Sequence, residues 1–443
     1  MRFNEYSSGS TTTGEVADEI RSAIFSLVGD FRLELSICAV LLGAFYVATH
    51  AFGSLVGSII VSLAVAYLIW LRPTRHLIMR RLRSAYFRRQ FVVGLRHSDF
   101  HHRHLVLPEI LALRLTKSGY RLRVRMPRGT TVDELAESSA VLASNLCVAA
   151  VRVEQDRWDA SMADVAVVRG NPFSGDTLPW PDIATEKLDL WQPIPVGLDE
   201  DGEEVTISLP ERNVLIGGLP GSGKSAAMAM FVAAAAADPT AVLYLLDGKR
   251  VDLPMWKRCA EGYAADDIHM AMQLLLDVRA EMERRYARLE TDGRWKVTAE
   301  SGLGLVLIVI DELRFFTKNL KSGASTDFIS LLEDIVARGR AAGIVVVAAT
   351  QRPSVDVVPA RLRDLFAYRW AMACSTRDSS DTILGAGWAA EGYDASEIGH
   401  GPSDAGIGYL LADGRNPTKI RSYFINQDAA HELADRAAWL RAR

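Results

Sequence analysis

The chain has 443 residues, with 50 Lys and Arg against 54 Asp and Glu and a formal net charge of −4. That length exceeds one average domain, and the near-balanced charge excludes a uniformly basic nucleic-acid binder, so any such contact must be local. The four cysteines, Cys38, Cys147, Cys259 and Cys374, are scattered without a CxxC pair or metal-ligand spacing, which argues against a disulfide framework and fits a reducing compartment.

A Ser/Gly/Thr cluster from Ser7 to Gly14 marks residues 1–34 as a flexible tail. Leu35 to Trp70 then runs 36 residues without one Asp, Glu, Lys or Arg. As a single helix it would be about 54 Å long, far beyond a hydrocarbon core of roughly 30 Å. Two helices of about 17 residues, turning near Thr49 to Ser54, fit better, so residues 35–71 are expected to form a transmembrane hairpin. The run is too long and starts too late for a signal peptide. Seven arginines and no acid between Leu71 and Arg89 mark the cytoplasmic side.

The basic character persists: Arg72 to Arg128 holds 15 Lys and Arg against Asp99 and Glu109. Its first part suits anionic headgroups, and the remainder suits either lipid or DNA. The cluster His97, Asp99, His101, His102 and His104 reads as solvated basic surface. Arg121 to Met126 alternates with the period of a half-buried strand, Thr131 to Ala149 has helical spacing behind a Thr cap, and Val151–Val153 and Ala163–Arg169 read as strands. Residues 72–180 are therefore expected to be a basic juxtamembrane segment followed by a small α/β adaptor. A Gly/Pro/Asp-rich linker from Asn171 to Pro181 ends it.

Residues 181–443 carry the chemistry. Gly218-Leu219-Pro220-Gly221-Ser222-Gly223-Lys224-Ser225 follows the apolar run Val214–Ile216 and precedes a helical stretch starting at Ala226. This strand–loop–helix setting is what a phosphate-binding loop needs. Its glycines let backbone N–H groups face phosphates, Lys224 reaches the β/γ-phosphates, and Ser225 can ligate Mg2+. The uninterrupted apolar run Leu305–Ile310 reads as a buried parallel strand ending in Asp311-Glu312. Asp311 is expected to hold the magnesium shell and Glu312 to orient or deprotonate the attacking water. A further strand, Ile344–Ala349, ends in Thr350-Gln351, where Gln351 is placed to sense the γ-phosphate. ATP and Mg2+ are the expected cofactors.

Between Leu190 and Phe424 the strings ARGRAAGI (Ala337–Ile344), ATQRPSVDVV (Ala349–Val358), EMERRY (Glu281–Tyr286) and DGKRVDL (Asp247–Leu253) stand in order. Together they resemble the FtsK/SpoIIIE family of double-stranded-DNA translocases. The resemblance implies a RecA-like P-loop motor with a parallel sheet that closes into a homo-oligomeric, hexameric ring around DNA. It places a trans-acting arginine finger at Arg340, with Arg338 as the alternative, and puts Arg352 and Arg363 on channel-facing loops, with Arg361 nearby. The segment Asp378–Leu384 and the Gly-rich region Gly385–Gly408 depart from the family's pattern. Nineteen residues, read as one helix from Gln427 to Arg441, follow Phe424, too few for the winged-helix module that reads orienting sequences.

The expected whole is a membrane-anchored, ATP-driven translocase of double-stranded DNA, with two spans in the cell membrane and its motor in the cytoplasm. It looks most like the conjugative transfer proteins of actinobacterial mobile elements. A chromosome translocase at the division septum and the ATPase of a type VII-like protein-secretion system are the alternatives.

Overall fold

The structure, a computed structural model, describes residues 72–443 apart from 117, 171–172, 174–176, 318–322, 413–415 and 443, with scattered positions between 43 and 59. The hairpin expected at 35–71 lies mostly outside the described residues and is not supported by the structure. Among the described residues no helix is long and apolar enough to cross a membrane. The described positions there include helical Phe45, Tyr46 and Val47, all exposed. The chain divides into two compact units, Met1–Asn171 and Pro172–Arg443.

In the first unit, strands β1 (Glu109–Leu115), β2 (Gly119–Arg125), β3 (Ala150–Gln155) and β4 (Met162–Val168) form an antiparallel sheet in the order β1-β2-β4-β3. The arginine-rich stretch is a 25-residue helix, α1 (Arg72–Arg96). Phe87, Phe91 and Leu95 recur every four residues, so they share one face, and all three are buried. Phe87 stacks on Tyr120 of β2 at 3.7 Å, and Arg169 lies over both rings. The single helix expected over Thr131–Ala149 is two, α2 (Val132–Glu137) and α3 (Ser139–Leu146). Thr131 and Glu134 form a reciprocal capping box at the start of α2. The Ser138 N–H then closes back on the Leu135 carbonyl at 3.2 Å and ends the helix one turn after its buried Leu135.

The second unit is built on a ten-stranded sheet. Its strands are β5 (Ile194–Asp199), β6 (Glu204–Ile207), β7 (Val214–Gly217), β8 (Val242–Asp247), β9 (Gly262–Ala264), β10 (Val306–Asp311), β11 (Ile344–Thr350), β12 (Tyr368–Met372), β13 (Ile407–Leu411) and β14 (Thr418–Ser422). Their order is β6-β5-β14-β13-β12-β7-β11-β10-β8-β9. From β12 to β9 all pairings are parallel; from β12 back to β6 all are antiparallel. The expected parallel sheet is therefore only the core of the observed one, and a four-stranded antiparallel extension corrects the picture of an all-parallel sheet.

Every residue of β10 and β11 is buried, as strands covered on both faces must be. Leu307 and Val309 join the core on one face; Val306, Ile308 and Ile310 join the core on the other. The first face is covered by α4 (Lys224–Ala237), whose alanines let it be enclosed almost all round, with α7 (Gln427–Arg441) against it. At the C-terminus of α4, Arg441 donates to the carbonyls of Ala235, Ala236, Asp238 and Ala241, satisfying oxygens a helix end leaves orphaned. The second face is covered by α5 (Ile268–Asp292) and α6 (Gly323–Arg338).

The EMERRY string has a structural role. Arg285 of α5 is buried, takes Glu281 at 2.8 Å, and donates to the carbonyls of Gly304 and Ala342 at 2.9 and 3.0 Å, just ahead of β10 and β11. Removing it leaves two carbonyls without their donor, so Arg285→Ala should cost about 3 kcal/mol. Thermal denaturation should show this as a loss on the order of 5–10 °C, with Arg285→Lys, a single point charge, recovering only part.

Candidate functional site

Parallel strands with both faces covered leave polar chemistry one place to gather, the crevice at their C-terminal ends. Here β7 ends at Gly217, β8 at Asp247, β10 at Asp311 and β11 at Thr350, and these ends are side by side. Asp247 and Asp311 are register partners on adjacent strands.

The phosphate loop leaves β7 through Gly218, turns through Gly221 at φ 79° and Gly223 at φ 105°, and becomes helix at Lys224. Left-handed angles of this kind favour glycine. The first-turn N–H groups of Gly223, Lys224, Ser225 and Ala226 have no intrahelical acceptor, which suits them to anions. Outside, the loop is tied down: the Leu219 N–H donates to Ala373 O at 2.8 Å, and the Gly406 N–H donates to Ser222 O at 2.8 Å. A side chain on Gly223 would meet the Gly406 backbone at 2.5 Å. The Gly-rich region that departs from the family pattern thus packs directly against the phosphate loop.

Lys224 is buried, its ammonium donating to Leu219 O at 2.6 Å. Burial, helped by nearby Lys249, lowers its pKa to about 8. Asp311 is 1% exposed, and burial raises its pKa to about 6 against the opposing pull of Lys249. One carboxylate oxygen accepts from Lys249 at 2.8 Å; among the described residues the other is buried without a hydrogen-bond partner. That orphaned oxygen and the Ser225 hydroxyl are hard oxygen donors, so the residues fit a magnesium ion. Glu312 adopts φ 59°, a strained angle for a non-glycine residue. Its carboxylate is held by the Thr350 hydroxyl at 3.2 Å and the Gln351 N–H at 3.2 Å.

The structure therefore brings Gly218–Ala226, Asp311, Glu312 and Gln351 together, with Gln351 reaching Glu312 through its backbone. Arg340 is elsewhere. It precedes β11, and its guanidinium donates to Glu211 O ahead of β7, so it sits at the N-terminal end of the sheet. The seven residues of β11 put it roughly 20 Å from the phosphate loop of its own chain. Arg338 is committed to Asp334 and Glu283 and lies over the Tyr286 ring. Arg352 is exposed, with no ion pair among the described residues. Arg361 pairs with Glu333 at 2.7 Å, while Arg363 is mostly buried and pairs with Asp364 at 2.9 Å.

Sequence reasoning missed Lys249 and Asp252. Lys249 binds Asp311 and approaches Glu312 to 4.0 Å, and Asp252 accepts from the Ser225 hydroxyl at 2.7 Å. The usable signal was the DGKRVDL string after β8, whose strand ends in an acid just as β10 does.

Residues 184–316 match the FtsK/SpoIIIE family. This stretch is similar to FtsK/SpoIIIE-family domains. The DNA translocase FtsK of Staphylococcus aureus (strain Mu50) is 29% identical over 282 residues, covering 57% of this chain and 35% of the relative. FtsK of Oceanobacillus iheyensis is 27% identical over 261 residues, covering 54% and 32%. The chain thus spans about a third of the length of the curated relatives it matches. Among solved structures, the pCW3 conjugation coupling protein TcpA, in a monomer form with ATPgS, superposes with a TM-score of 0.52 at 16% identity. That match covers 80% of this chain and 98% of TcpA and shows a shared fold.

A carboxyl with a folded pKa of about 6 binds more protons than the same group unfolded, at an ordinary value near 3.8. Stability is therefore fully present below the lower value and is lost as pH rises through about 6. Asp311→Asn should stabilise the protein by roughly 2–3 kcal/mol at pH 8 without magnesium. Denaturant titrations should show that gain shrinking towards zero near pH 4.

Proposed function

We propose that this chain is a membrane-anchored motor that hydrolyses ATP to move double-stranded DNA, serving conjugative transfer of a mobile element. The observation that carries the ATPase part is the assembly of Lys224, Asp311 and Glu312 at one crevice within an FtsK/SpoIIIE domain. The DNA part is supported by FtsK relatives at 27–29% identity, and the conjugative part by the shared fold with a conjugation coupling protein. Anchoring rests on the 36-residue run without Asp, Glu, Lys or Arg and on the seven arginines that follow.

In this reading Lys224 and the first-turn N–H groups of α4 bind the β- and γ-phosphates. Ser225 and Asp311 would hold magnesium, which supplies charge neutralisation at the phosphates. Glu312 accepts a proton from the attacking water, and its carboxylate is aimed by Thr350 and Gln351. Arg340 faces away from its own site, so it serves a neighbour's site in a ring, where an arginine in trans stabilises developing charge. Of the three arginines considered for DNA, Arg352 is the exposed one that makes no ion pair among the described residues, and it grips phosphate without reading bases.

The full chain should show ATPase activity stimulated by duplex DNA, and the stimulation should fall steeply with salt because neutralised phosphates release counterions. Arg352→Ala should lower both the stimulation and its salt slope while leaving basal hydrolysis unchanged. Hydrolysis indifferent to duplex DNA at low salt would instead place the motor with protein-secretion ATPases.

A further inference from the structure

Ser225 stands in the first turn of α4, directly after Lys224, and its hydroxyl donates to the Asp252 carboxylate at 2.7 Å. Asp252 lies 27 residues along the chain and is carried there by a turn fixed on both sides. Before it, the fully buried Asp247 carboxylate accepts the N–H groups of Lys249 and Arg250 at 3.1 and 2.7 Å and the Tyr263 hydroxyl at 3.1 Å. The Gly248 N–H donates to the Asp311 carbonyl at 3.0 Å, and a side chain on Gly248 would meet Phe315 at 2.9 Å. After it, Leu253 and Trp256 are buried in the core. With its backbone held, the turn offers one side chain to each of the two residues whose oxygens fit a magnesium ion. The Lys249 ammonium meets one Asp311 oxygen and leaves the orphaned one alone, while Asp252 meets Ser225.

We propose that Asp252 is a positioning residue: by accepting the hydrogen bond of the Ser225 hydroxyl, it leaves that oxygen's lone pairs turned towards a divalent cation. This rests on the ATPase reading above and adds a residue to its metal site. A serine hydroxyl has one hydrogen to give and two lone pairs to offer, and the hydrogen rotates towards whatever acceptor is near. An ionised carboxylate makes the stronger, charge-assisted kind of hydrogen bond, so it wins that hydrogen over a neutral acceptor. The hydrogen bond and a metal bond use different parts of the same oxygen, so both can be held at once. Without Asp252 the hydrogen is free to point where the cation would sit. Partners that orient a metal ligand in this way are typically worth roughly 10–100-fold in metal affinity without touching the metal.

The test measures binding of a fluorescent, non-hydrolysable ATP analogue to the full chain, in EDTA and in saturating Mg2+. The ratio of the two affinities isolates the metal's contribution. Asp252→Ala should lower that ratio about tenfold, and Asp252→Asn, which keeps an acceptor oxygen without the charge, should recover most of the loss. Ser225→Ala should lower it as far. Adding Asp252→Ala to Ser225→Ala should lower it no further, because a residue that acts through Ser225 then has nothing to act on. Losses that multiply in the double variant overturn the proposal, since Asp252 then attracts or binds the cation by itself. A ratio left unchanged while both affinities weaken alike makes Asp252 a structural residue and also overturns it. If the unmodified chain and its Lys224→Ala variant bind the analogue equally poorly, the ATPase reading fails and this proposal with it.

Discussion

The burial of Asp311 organises the rest of the second unit. A carboxylate 1% exposed at the end of a fully buried strand is costly to ionise. One oxygen meets Lys249, and among the described residues the other has no hydrogen-bond partner and fits a cation. The neighbouring strands serve that requirement. The ends of β8 and β10 are locked in register, β8 delivers the turn that carries Lys249, and the end of β11 delivers the hydroxyl and N–H that hold Glu312. Strain at Glu312 and the unpaired oxygen on Asp311 are costs of function, balanced by cores packed on both faces of the sheet.

The same geometry limits what one copy can do. The groups proposed to bind and cleave phosphate lie at the C-terminal edge of the sheet, whereas Arg340 lies at the N-terminal edge beside Glu211. In the proposed reading, a copy presenting Arg340 to its neighbour would add a cation to that neighbour's crevice. This is the physical reason to expect the motor to work as a closed assembly.

Much of the site was legible in the sequence because its chemistry is local. A glycine-rich loop between an apolar run and a helix, and two acids closing an unbroken Val/Ile strand, each follow from neighbouring residues. The antiparallel extension was not legible: β5, β6, β13 and β14 are short, and their pairing joins Ile194–Asp199 to Thr418–Ser422, far apart in the chain. The parallel sheet implied by family resemblance was therefore only its core. Lys249 was hidden for a related reason, since its partner lies 62 residues away and only the strand register brings them together. Spacing could not show that EMERRY braces two strands rather than touching the site.

The central claim is that hydrolysis at Lys224, Asp311 and Glu312 drives movement along duplex DNA. The direct measurement is displacement of a third strand from a triplex at the end of a linear duplex, using the full chain with ATP. The account predicts ATP-dependent displacement that disappears in Glu312→Gln while that variant still binds nucleotide. Vigorous hydrolysis with the triplex left in place would contradict it.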